Sequence, residues 1–168
     1  MIAISVGLAA LVAAALGPSP ALLAALAIAA VTPPLVRTDV AEHRLPNRLV
    51  IPALLAGVVD VGVSWLATGS PPIVPVIAAA GYAGFLFVLA VSGGMGMGDV
   101  KLAAALGLAA PTASIAVISA VLAFLLGGVA SVIALIRHRR GHRIAFGPFL
   151  LAGYFAALAI VAVTRIGR

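Results

Sequence analysis

Cysteine is absent from these 168 residues. With no thiol there is no disulfide, no thiolate nucleophile and no cysteine-held zinc or iron–sulfur cluster, and the redox compartment is unreadable. Charge is nearly as scarce: Asp, Glu, Lys and Arg make up 8% of the chain, against about a quarter in an ordinary soluble domain. What fills the sequence instead is apolar, 64% of it, with a mean hydropathy of +1.30. A soluble domain is excluded, and the chain reads as a membrane protein. At ~20 residues per crossing, its length allows about six or seven helices and leaves no room for a separate soluble domain. The expected fold is therefore all-α, a polytopic membrane bundle of six or seven transmembrane helices forming a single domain over 1–168.

Apolar runs separated by glycine, proline and charge fall at about 2–16, 20–36, 49–67, 73–92, 99–109, 112–136 and 144–164. Gly17-Pro18-Ser19-Pro20, Gly69-Ser70-Pro71-Pro72 and Pro111-Thr112 end helices, while 37–48 and 137–143 are polar connections. The first run is short but has no Lys or Arg before it, so it is read as a helix and not as a signal peptide. The fifth, at about 1.5 Å per residue, reaches only part-way across a ~30 Å hydrocarbon core. Pro33-Pro34 removes two consecutive backbone donors, which should break or kink the second span and put Asp39 on a separate short segment.

The formal net charge of +6 would suggest a nucleic-acid partner in a soluble protein, but the basic residues gather at the ends of apolar runs. No nucleic acid is expected; the partner these residues face is the lipid bilayer. With seven crossings, Arg37, Arg44, Arg48, Lys101, Arg137, Arg139, Arg140 and Arg143 share one side, and only Arg165 and Arg168 lie on the other. The positive-inside rule makes the crowded side the cytoplasm.

Four acids remain from which to build chemistry: Asp39, Glu42, Asp60 and Asp99. Carboxylates near hydrocarbon are expensive, so each is a functional hypothesis. Arginine counting places Asp39, after the second span, and Asp99, opening the fifth, at the same cytoplasmic face although sixty residues separate them. Two neighbouring carboxyls resist simultaneous ionisation and can share one proton. The ionised member then takes a proton from an attacking water while the protonated member stabilises the developing oxyanion, with no metal or cofactor required. Taken singly, Asp39 fits a solvated loop acid paired with Arg37 or Arg44, and Asp99 a helix N-cap. Asp99 at a helix N-terminus is expected to be the more readily ionised of the two. Glycines 93, 94, 96 and 98 precede it and allow a tight turn, but no strand precedes and no Gly-Lys-Ser/Thr follows, which excludes a nucleotide loop. Asp60, towards the outer half of the bilayer in the third span, reads as a bundle-facing acid, neutral or hydrogen-bonded. Glu42 and His43 read as solvated, and Lys101, two residues past Asp99, points away from it. A small proton- or cation-coupled transporter using Asp39, Asp60 and Asp99 is the alternative from another class. Such a path calls for acids near the bilayer midplane, which disfavours it. A third reading is a membrane scaffold in which glycines such as Gly81, Gly84, Gly127 and Gly128 serve helix packing.

Asp39-Val-Ala-Glu-His-Arg-Leu45-Pro46-Asn47 with Pro52, and Gly94-Met95-Gly96-Met97-Gly98-Asp99-Val100-Lys101-Leu102, resemble the two signature segments of the type IV prepilin peptidases, membrane aspartyl proteases of the GxGD kind. Ile144-Ala145-Phe146-Gly147-Pro148-Phe149 is similar to the family's Ile-Pro-Phe-Gly-Pro-Phe stretch, with Ala145 in place of a proline. Asn47 stands where many members have Asp. The resemblance covers roughly 32–150. It implies that Asp39 and Asp99 are the catalytic pair, and that Gly96, Gly98, Lys101, Pro46, Asn47 and Pro148 shape the site or bind substrate. It implies no metal and no cofactor. The implied location is the inner (cytoplasmic) membrane with the active site towards the cytoplasm. The implied substrate is a prepilin-like protein whose short basic leader is cut after a glycine, just before an apolar helix. The amino-terminal paired-cysteine region of larger, methyltransferase-bearing members is missing, so the resemblance is to a short, peptidase-only form.

Overall fold

The computed structural model describes residues 1–17, 19, 21–136 and 145–166. Pro18 and Pro20 in the first turn lie outside the described residues, as do Arg137, Arg139, Arg140, Arg143, Ile144 and Arg168. Among the described residues there are seven helices and no strand: α1 (Ile2–Leu16), α2 (Leu22–Glu42), α3 (Asn47–Thr68), α4 (Ile73–Val91), α5 (Met97–Leu108), α6 (Ala113–Ile136) and α7 (Gly147–Ile166). Five of these, α2, α3, α4, α6 and α7, are long and apolar enough to cross a membrane. The chain is a helical bundle that passes the bilayer several times. α1 and α5, at 15 and 12 residues, are the short ones.

α5 is the element around which the others gather. Asp99, Val100, Leu102, Ala103, Ala105, Leu106 and Gly107 are all buried, so most of the helix surface is covered by the bundle. It packs against α4, α3, α7 and α2. Its last turn is tied to α7 by the Tyr154 hydroxyl, which donates to the Ala109 carbonyl at 2.9 Å and satisfies one of the carbonyls a helix end leaves free. The outer helices have the opposite distribution: Ile77 and Val88 on α4, and Val117 and Val129 on α6, are exposed. That pattern is unstable in water and natural in hydrocarbon. α1 packs on α2 and α7 through the buried Val12, Ala15 and Leu16.

The second span departs from expectation. α2 runs unbroken from Leu22 to Glu42 through Pro33 and Pro34, and Asp39 sits on its last turn, not on a separate segment. Two missing donors leave two carbonyls without their usual partners, but Thr32, Pro33 and Leu35 are buried against neighbouring helices. Packing on a bundle holds a proline-bearing helix together where an isolated one would open.

At the other end of α2, Asp60 of α3 accepts the Ala24 N–H at 2.7 Å. Ala21, at the N-cap position, has no side chain able to do this, so a carboxylate from the next helix caps α2 instead. The bundle-facing, hydrogen-bonded role expected for Asp60 is the one observed. Replacing Asp60 with Ala should lower stability in detergent by roughly 1–2 kcal/mol, the usual cost of a lost N-cap, while Asp60→Asn, which keeps an acceptor oxygen, should lose less. Thermal unfolding of the two variants side by side checks this; equal losses would show that the carboxylate's charge, and not the capping bond, is what stabilises.

Candidate active site

Because α2 continues through its prolines, it delivers Asp39 to the end of the bundle where α5 and α7 begin. Asp39 is 5% exposed and Asp99 is 9% exposed. They line one cavity of about 220 Å³, together with His43, Met95, Gly96 and Phe146. No hydrogen bond joins the two carboxyls, and the Asp99 Oδ1 atom is buried without a partner.

Each aspartate is held by a backbone donor at a helix start. Asp99, in the first turn of α5, exchanges bonds with the N-cap residue: its own N–H donates to the Gly96 carbonyl at 3.1 Å, and its Oδ2 accepts the Gly96 N–H at 3.2 Å. The N-cap role expected for Asp99 alone becomes a reciprocal bond of this kind, and it does not stop the side chain from facing the cavity. Asp39 reaches further. Its Oδ2 accepts the N–H of Gly147, the first residue of α7, at 2.9 Å across 108 positions of sequence.

The turn between α2 and α3 closes the site. His43 ends α2 with φ +52°, and its N–H donates to the Asp39 carbonyl at 2.8 Å. Pro46 is the extended N-cap of α3. Asn47, the first residue of α3, accepts a 3.0 Å bond at Oδ1 from the Lys101 ammonium, which ties the start of α3 to the start of α5. Lys101 therefore does point away from Asp99, as its spacing required. Pro148 occupies the first turn of α7, where a missing N–H costs nothing.

Leu45 is the wedge between α5 and α7. A Cβ on Gly98 would lie 2.8 Å from Leu45 Cβ, and one on Gly147 would lie 3.1 Å from Leu45 Cδ2 and 2.7 Å from Asp39 Oδ2. The missing Cβ at Gly98 lets the start of α5 approach Leu45, and the missing Cβ at Gly147 lets the start of α7 approach both Leu45 and the Asp39 carboxyl. Gly147, Leu45 and His43 were not among the site residues expected from sequence. The Gly147-Pro148 pair at a helix start was a visible signal, but its target was not.

Burial pushes the Asp99 carboxyl up, the nearby Asp39 pushes it further, and the Gly96 N–H pulls the other way, leaving it at about 6. The helix N-terminus that was expected to make Asp99 readily ionised is present but outweighed by desolvation. Glu42 is exposed, as expected. Asp60 stands apart, in a cavity of about 300 Å³ with Ser19, Ser64 and Thr68, and its carboxylate is engaged by α2.

The sequence model of the type IV leader peptidase family matches residues 22–136, a stretch that contains both cavity aspartates. No curated protein and no solved structure matches the chain. Two buried carboxyls in one cavity at the end of a membrane bundle, and a family match over well over half of the sequence, agree: this chain belongs to the type IV leader peptidase family and is a membrane peptidase.

Proposed function

We propose that the protein is a prepilin leader peptidase of the aspartic type, working at the cytoplasmic face of the inner membrane with Asp39 and Asp99 as its catalytic pair. The observation that carries this reading is the shared cavity: carboxyls sixty residues apart in sequence line the same 220 Å³ space. One carboxylate accepts a proton from a water as the water oxygen bonds to the scissile carbonyl carbon, and the other carboxyl donates its proton to the oxygen that gains the electron pair. As the C–N bond breaks, the first carboxyl returns its proton to the departing amine and the second recovers one from the tetrahedral hydroxyl. The products are the leader's carboxylic acid and the free amine of the mature chain, and the pair is back in its starting state.

The surroundings of the cavity suit a substrate that is half polar and half apolar. Beside it, α4 and α6 leave an apolar groove of about 570 Å³, walled by residues such as Gly81, Phe85 and Ala120. Phe124 in that groove lies 5.3 Å, ring to ring, from Phe146, which lines the aspartate cavity. The substrate's apolar helix can stay among lipid and helix surfaces while its leader reaches the aspartates from water. The Lys101–Asn47 bond and the Leu45 contacts with the starts of α5 and α7 fix the frame on which the pair is mounted.

Co-expression with a prepilin tests the reading. Asp39→Asn and Asp99→Asn should each reduce leader removal by at least ~100-fold while the protein still accumulates in the membrane, since either change removes a proton-transfer partner. Normal cleavage by either variant would refute the dyad. A second expectation concerns charge coupling. Because Asp39 contributes to the raised pKa of Asp99, Asp39→Asn should lower the Asp99 midpoint from about 6 towards the ordinary carboxylate range, as followed by carbon-13 NMR of labelled aspartate.

A further inference from the structure

We infer that Gly147 is a positioning residue that makes Asp39 the base of the pair and leaves Asp99 as the acid. The inference rests on the dyad reading above for its chemistry, but the order of ionisation it specifies is a property of the folded protein alone.

Three observations carry it. The first is the bond itself: Gly147 N–H donates to Asp39 Oδ2 at 2.9 Å in a buried setting. That N–H opens the 20-residue helix α7, so it has no intrahelical acceptor and sits at the positive end of the helix dipole. A bond of this kind favours the ionised acceptor. The second is the contrast at Asp99. Its Oδ2 receives a longer bond, 3.2 Å, from Gly96, and its Oδ1 is buried with no donor at all. A bare buried oxygen is far cheaper on a neutral carboxyl than on a carboxylate. The third is steric. Gly147 has no Cβ, and the space a Cβ would take lies 2.7 Å from Asp39 Oδ2, so a larger residue at 147 would make the carboxylate shift from its present place on this N–H.

The charged groups around Asp39 are consistent with this assignment. Among the described residues, Asp99 faces it from α5 and His43 from the turn after α2, while the first turn of α7 brings no titratable side chain. A negative Asp39 next to Asp99 makes the second ionisation harder, which keeps the proton on Asp99.

In the catalytic cycle, Asp39 therefore receives the proton of the attacking water and later hands it to the leaving amine. Asp99 protonates the oxyanion and recovers its proton when the carbonyl reforms.

Gly147→Ala keeps the N–H but drives the carboxylate off it. The acid limb of the kcat/KM profile should move upward by roughly one pH unit, because the base has lost a bond that favoured its charged form, while KM for the precursor stays unchanged. Gly128→Ala, at a position where a Cβ meets nothing within 4 Å, should leave the profile where it is. A lowered kcat with an unmoved acid limb would overturn the inference and reduce Gly147 to a packing role. Should Gly147→Ala not fold, carbon-13 NMR of aspartate-labelled wild-type protein decides the matter, with Asp60→Asn and Asp39→Asn used to assign the signals. Asp39 should lose its proton before Asp99; the reverse order overturns the inference. Failure of the wild type to cut any prepilin would strike the proposed function and leave the ionisation order to stand or fall by the NMR measurement.

Discussion

A carboxyl inside a membrane bundle needs a hydrogen-bond donor, and this chain has almost none to spare among its side chains. The donors come from helix starts, where backbone N–H groups are free by construction. Asp39 takes one from α7, Asp60 one from α2, and Asp99 one from the residue that caps its own helix. All three buried acids of the chain are solved by the same device, and the placement of the helices follows from it. α7 must begin beside the end of α2, α3 must pass the beginning of α2, and α5 must open on the cavity side.

This economy explains why so short a helix as α5 is the centre of the fold. At 12 residues it is too short to cross the bilayer by itself, and the longer helices packed around it enclose it together with Asp99. Apolar packing along Leu102, Ala103, Ala105 and Leu106 fixes its axis, and the Tyr154 hydroxyl closes its far end. Rigid mounting of one carboxyl against a helix core, and of the other on the last turn of α2, gives the cavity fixed walls. Both carboxyls line that cavity, and no direct bond joins them.

Much of this was legible in the residues. Composition alone excluded a soluble domain, and the apolar runs located all seven helices, including the two short ones. Arginine counting alone brings Asp39 and Asp99 to one end, and the shared cavity agrees with that convergence. Three things were not legible. The prolines at 33 and 34 signalled a break that burial of Pro33 and Leu35 prevents, because local propensity cannot see the helices that will pack on it. The desolvation that raises the Asp99 pKa depends on enclosure that sequence does not display. The grip of Gly147 on Asp39 spans 108 positions, and nothing in a Gly-Pro pair says which acid its free N–H will meet.

The carboxylate of Asp60 on the first turn of α2 bears on biogenesis. A segment entering lipid one helix at a time would bring α2 into hydrocarbon with its leading N–H groups bare, which is costly. The acceptor for Ala24 belongs to the following segment, so the start of α2 is satisfied only once α3 is packed beside it.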